Sequence, residues 1–119
     1  MMWVRWGSVL MGLGVICGAF GGHALKTRLS AEMHQIYQVG VWYHLIHGLA
    51  LLAVGWLATL KPAEVLVRLA GWSFVLGVIL FSGSLYLLSL TGIKKFGMVT
   101  PLGGLAFLAG WACLAAAAR

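Results

Sequence analysis

Apolar residues fall along this chain in four long runs separated by short polar breaks. The runs cover roughly Trp6–Leu25, Val41–Leu60, Leu69–Leu90 and Pro101–Ala118. Each has about the 17–25 residues that a helix needs to cross the hydrocarbon core of a bilayer. Helices are also the natural form there, because a helix satisfies its backbone polar groups within itself. The breaks carry boundary signals. At Leu29-Ser30-Ala31-Glu32, Ser30 can cap exposed amides and Glu32 suits the positive end of a helix dipole. Pro62 and Pro101 suit first turns, where a missing N–H is harmless, and Thr100 is a candidate cap. Between Ala31 and Gly40 the pattern is amphipathic, with Met33, Ile36, Tyr37 and Gly40 on one side. That predicts a short interfacial helix before the second span, either continuous with it or bent near Gly40. Phe96–Val99 reads as a short interfacial approach to the fourth span. The expected fold is therefore all-α: residues 1–119 form a single domain, an integral membrane bundle of four antiparallel transmembrane helices with short connections.

Composition supports this reading. Of 119 residues, 62% are hydrophobic and 8% charged, and the mean hydropathy is +1.01. A soluble domain carries about 25% charged residues. The net charge of +6 comes from eight Lys/Arg against Glu32 and Glu64. These basic residues stand in ones and twos between apolar runs, the pattern of interfacial anchors rather than of a nucleic-acid face. Membrane lipids are the expected surroundings, and no nucleic-acid partner is expected. Cys17 and Cys113 lie within apolar runs, outside any CxxC pattern, and read as small hydrophobes. Ile16 is too large for the residue before a lipidated cysteine. Arg5, the first run and Gly22-His23-Ala24 imitate a signal peptide, but the run is long enough to span, so it is expected to be retained. Arg5, Lys61, Arg68 and Arg119 fall at one end, and Lys26, Arg28, Lys94 and Lys95 at the other. That tie leaves the positive-inside rule without a choice. Arg5 before a signal-like run favours both termini in the cytoplasm.

Small residues mark where helices approach closely. Gly14, Gly18 and Gly22 are four apart on one face of the first span; Gly83 lies between two serines of the third; Gly103, Gly104 and Gly110 lie in the fourth.

Alternating spans bring the chemistry-bearing residues to one end, opposite the termini: His23, then Tyr43, His44 and His47, then Ser82, Ser84 and Tyr86, then Thr100. His44 and His47, three apart, share a helix face. HxxH can bind a metal if further ligands arrive, but only His23, Glu32 and His34 are near, and no CxxCH indicates haem. No metal or cofactor is expected. A histidine proton relay or pH sensor is an alternative. The simpler reading is a set of interhelical hydrogen bonds, which in membranes average about 0.6 kcal/mol each. A nucleophilic serine would need a base and an orienting acid, and no carboxylate lies in a span. No enzyme is expected.

The segments Gly18-Ala-Phe-Gly-Gly-His23-Ala-Leu, Tyr43-x-x-x-His47, Phe81-Ser-Gly-Ser-Leu-Tyr86 and Thr100-Pro-Leu-Gly-Gly104, with Gly110-Trp111, occur in order. Nearly the whole chain thereby resembles the small membrane family known as domain of unknown function 423, related to the animal transmembrane protein 256. The resemblance implies a four-helix protein, usually of the bacterial inner membrane, with no established activity. By position, His23, Tyr43, His47, Ser82, Ser84, Tyr86, Thr100 and Pro101 match its motifs. The chain departs at Gly22, where alanine is frequent, and at His44, where glutamine is familiar, which weakens an HxxH metal site. The expected role is a non-enzymatic accessory subunit or self-associating module, with other membrane subunits or itself as partner. The alternative is a small transporter, channel or lipid/quinone-binding protein that uses the polar end. Basic residues beyond that end would then attract lipid phosphate or an anion.

Overall fold

A computed structural model describes residues 1–119. Four helices are long and apolar enough to cross a membrane. They are α1 (Met2–Gly22), α2 (Ala31–Leu60), α3 (Val65–Thr91) and α4 (Thr100–Ala117). A 3₁₀ turn, Lys94–Met98, leads into α4.

The connections show which boundary signals the chain uses. Ser30 caps α2, its hydroxyl accepting from the Met33 amide at 3.2 Å. No separate interfacial helix precedes the second span. Ala31–Gly40 forms the first turns of one continuous α2, because Gly40 packs against Tyr86 and Leu85 instead of bending the chain. Thirty residues make a helix of about 45 Å, against about 30 Å of hydrocarbon core. Its amphipathic start can therefore reach the interface without a break.

Pro62 lies ahead of α3 and not in its first turn. It occupies a tight turn closed by the Glu64 amide on the Lys61 carbonyl at 3.1 Å. Glu64 then caps α3 by accepting from the Leu66 amide. Gly92 ends α3 at φ 72°, a left-handed conformation suited to glycine, with its amide on the Leu88 carbonyl. Pro101 does sit in the first turn of α4, but Thr100 provides no cap there. Its hydroxyl is bonded to Ser84 instead.

Neighbouring helices meet in opposite order. Gly7, Gly14 and Gly21 of α1 face Gly48–Leu52, His44–Leu45 and Tyr37 of α2. Gly77, Gly103 and Gly110 likewise pair Phe107, Phe81 and Phe74 across α3 and α4. The packing ridge of α1 thus repeats by sevens and not by fours. Two helices crossing at about 20° keep a common face only at the heptad period. Gly18 merely touches Val41 at 3.4 Å, while Gly22 and Gly83, read as packing positions, meet no neighbouring helix.

α2 and α3 lie together at the centre, α1 packs on α2, and α4 packs on α3. The overall extents are 47 × 26 × 17 Å. Trp3 of α1 reaches across to Gly71 and Trp72 of α3, and His47 of α2 reaches Phe107 and Trp111 of α4. Toward the termini the core is apolar, built on Leu51, Val54, Val67, Ala70 and Phe74. There Lys61 donates to the Ala117 and Arg119 carbonyls, satisfying the C-terminal end of α4.

One feature of α3 has no counterpart in the sequence pattern. Val78–Ser82 forms a π turn, in which the Gly83 amide bonds back to the Val78 carbonyl. The extra residue carries Phe81 against Gly103 and Ser82 against Gly40.

Candidate functional site

His44 and His47 are both buried, at 4% exposure each, yet they serve different seams. His47 faces α3 and α4. Its Nε2 lies 3.0 Å from the Trp111 indole nitrogen, and its Nδ1 lies 2.7 Å from the Tyr43 carbonyl. An indole N–H can only donate. Nε2 is therefore the acceptor, and Nδ1–H donates to the carbonyl. Both ring nitrogens are committed in this neutral tautomer, so the HxxH pair does not offer two free ligands.

Around this imidazole the rings are closely arranged. Phe107 stacks on it with centroids 3.6 Å apart and planes 8° apart. Tyr43 lies at 12° to the same ring, and Phe81 packs on Tyr43 at 4.3 Å. Phe74 and Trp111 close the nest edge-on, 4.8 Å apart. Phe74, Phe107 and Trp111 were absent from the polar candidates read in the sequence. A signal existed: Phe107 and Trp111 are four apart on α4, and Phe74 and Phe81 seven apart on α3.

His44 faces the α1–α3 side. Its Nδ1 and the Tyr86 hydroxyl are 2.8 Å apart. Its Nε2 is buried without a hydrogen-bond partner, close to where Gly14 of α1 approaches. Tyr86 also packs on Tyr37, whose hydroxyl donates to the Cys17 carbonyl at 2.5 Å. Next to it, His34 Nε2–H donates to the Gly21 carbonyl at 2.9 Å, satisfying the exposed end of α1.

His23 is not brought into this cluster. It follows the last turn of α1, exposed, and its side chain makes no hydrogen bond. The reason is that α1 stops three residues before Leu25, which folds back and buries itself with Tyr37 and Val41. His34 and Tyr37 occupy the place that alternation of spans assigned to His23. Replacing Tyr86 by phenylalanine leaves both His44 nitrogens without partners. We expect a loss of about 1–3 kcal/mol in unfolding free energy, measured by denaturant titration in detergent micelles.

The hydroxyls work in the same way. Ser82 donates to the Gly40 carbonyl across α3 and α2 at 2.7 Å. Ser84 donates to the Phe81 carbonyl at 2.8 Å, so at 2.6 Å it accepts from Thr100 of α4. Neither serine meets a histidine nitrogen, and the arrangement has no base to generate a nucleophile.

Beside this cluster a groove of about 560 Å³ lies open along the outer side of α2, α3 and α4. Tyr43, His47, Phe81, Gly104, Phe107 and Trp111 contribute to its walls. Tyr43 and Trp111 are among its exposed residues, at 40% and 42%.

Four apolar helices, an apolar core toward the termini and hydroxyl and imidazole bonds toward the other end define a multi-pass helical membrane protein. The chain belongs to the family described as "Protein of unknown function (DUF423)", whose profile matches residues 17–104. It is similar to the UPF0382 membrane protein YwdK of Bacillus subtilis, with 42% identity over 112 residues, covering 94% of this chain and 91% of the relative. A UPF0382 membrane protein of Staphylococcus haemolyticus is 42% identical over 109 residues, covering 86% of this chain and 88% of its own. One of Staphylococcus saprophyticus is 39% identical over 107 residues, covering 90% and 86%. No solved structure matches the chain.

Proposed function

We propose that this membrane protein works by binding and not by catalysis, taking a lipophilic molecule laterally from the bilayer into the groove of α2, α3 and α4. The carrying observation is the contrast between that concave, ring-lined groove and an interior whose histidine, serine and threonine groups already have hydrogen-bond partners within the protein for the most part. Pockets of about 300–1,000 Å³ with mainly apolar walls are the usual form of small-molecule sites. Protein purified in mild detergent and extracted with organic solvent should release a neutral lipophile enriched over the bulk lipids. Gly104→Leu, which puts a side chain into the groove, should abolish the enrichment. Identical extracts from both proteins would count against the proposal.

A second reading, an accessory subunit or self-associating module, is favoured by how little of α4 its own chain covers. Leu102, Leu105 and Leu108 are all more than half exposed. Light scattering in mild detergent should then give a dimer or a stoichiometric complex; a monodisperse single chain would retire this reading. The finer placement belongs to the same proposal: the bacterial inner membrane, with both termini on the cytoplasmic side, supported by Arg5 ahead of the first apolar run.

A further inference from the structure

Gly103 and Gly104 are adjacent, yet their surroundings differ sharply. A Cβ on Gly103 would collide with the backbone nitrogen and Cα of Phe81, so that glycine is required by the α3–α4 seam. A Cβ on Gly104 would meet only Phe81 Cδ2, at 4.0 Å. Helix packing does not ask for glycine at 104; the position lines the groove, and its missing side chain adds to the open volume.

The ring planes set the shape of an occupant. Phe107, His47 and Tyr43 are close to parallel, with interplanar angles of 8°, 12° and 20° between pairs. Phe107 and His47 are 4% exposed and stacked on each other, so Tyr43 and Trp111, at 40% and 42%, present the ring surface of the groove, which favours a flat ring in offset or edge contact. Polarity narrows the choice. No Lys, Arg, Asp or Glu lines the groove, so a charged head would enter without a counter-ion in a low-dielectric setting. His47 and Trp111 already bond to each other. The Tyr43 hydroxyl is the one lining polar group without a hydrogen-bond partner in the protein. A phenol in an apolar setting is best matched by an uncharged acceptor such as a carbonyl oxygen.

We infer that the groove accepts a planar, uncharged, carbonyl-bearing ring on an apolar tail, the chemistry of a membrane quinone. The Tyr43 hydroxyl donates to a ring carbonyl, Phe81 and Trp111 flank the ring, and Gly104 provides room for it. This rests on the lipophile-binding reading of the same groove and adds the class of ligand.

The test uses the full chain in lipid nanodiscs and two probes with the same decyl tail: a benzoquinone and a carbonyl-free alkylbenzene. Both are radiolabelled and titrated by equilibrium binding to protein-loaded nanodiscs, with partition into empty nanodiscs subtracted. Saturable binding is expected for both probes, tighter for the quinone. Tyr43→Phe should weaken the quinone about three- to tenfold, the worth of one hydrogen bond, and leave the alkylbenzene unchanged. Gly104→Leu should remove both. Leu108→Trp, which narrows the groove from an exposed position, should weaken both and guards against misfolding of the glycine variant. Equal loss of the two probes in Tyr43→Phe, or no loss of either, overturns the quinone assignment while the groove reading stands. Absence of saturable binding by either probe overturns both.

Discussion

Gly103→Ala should lower the unfolding free energy by about 1–3 kcal/mol, the range for overpacking a closely fitted interior, while Gly104→Ala should leave it unchanged or raise it. At Gly103 the added methyl would sit 2.7 Å from Phe81 Cα and still nearer the Phe81 amide nitrogen. Backbone inside a helix cannot turn aside as a side chain can, so α3 and α4 must separate. Separation would also loosen the Ser84–Thr100 hydrogen bond on the same seam and, by shifting α4, the stacking of Phe107 on His47 of α2. At Gly104 the methyl finds ordinary contact space, and alanine favours the helix over glycine by up to about 1 kcal/mol. Thermal melts of both variants in one detergent give the comparison. Equal stability of the two would mean that the α3–α4 seam is not formed as described.

The second large effect is expected at His47. Truncation to alanine removes a ring that stacks on Phe107 at 3.6 Å and contacts Phe74 at 5.5 Å. It also leaves the Trp111 indole N–H without its acceptor. Loss of a buried aromatic side chain costs about 3–5 kcal/mol for phenylalanine or tryptophan; imidazole is smaller, so about 2–4 kcal/mol is expected. The polar part can be isolated. Trp111→Phe keeps the aromatic wall but removes the donor, and the double-mutant cycle with His47→Ala should yield a coupling of about 0.6–1.7 kcal/mol, as for interhelical hydrogen bonds in membranes. Strict additivity would show that the two side chains do not interact.

Much of the architecture was legible because lipid imposes a simple rule on sequence. Apolar runs of spanning length gave four helices, and Ser30 and Pro101 marked two of their starts correctly. Other boundaries moved where local signals compete with packing. Thr100 bonds to Ser84 rather than capping its own helix, and Leu25 anchors a loop rather than ending a helix. The candidate cluster divided along the same line. Tyr43, His44, His47, Ser82, Ser84, Tyr86 and Thr100 lie toward one end, but their bonds are divided among the α2–α3, α2–α4 and α3–α4 seams, with His23 outside all three.

By itself, then, the sequence determined the solvent, the number of helices and the end at which polar groups collect. Those properties follow from hydropathy and chain alternation, which are local or nearly so. Tertiary structure decided which glycines matter: Gly7, Gly14 and Gly21 by sevens along α1, and Gly103 but not Gly104 on α4. It also decided that His47 answers to Trp111, 64 residues away, and that a π turn in α3 aims Phe81 and Ser82. Crossing angle, rotation about each helix axis and one extra residue in a turn set these contacts, and no repeat in a single helix records the face its neighbour presents.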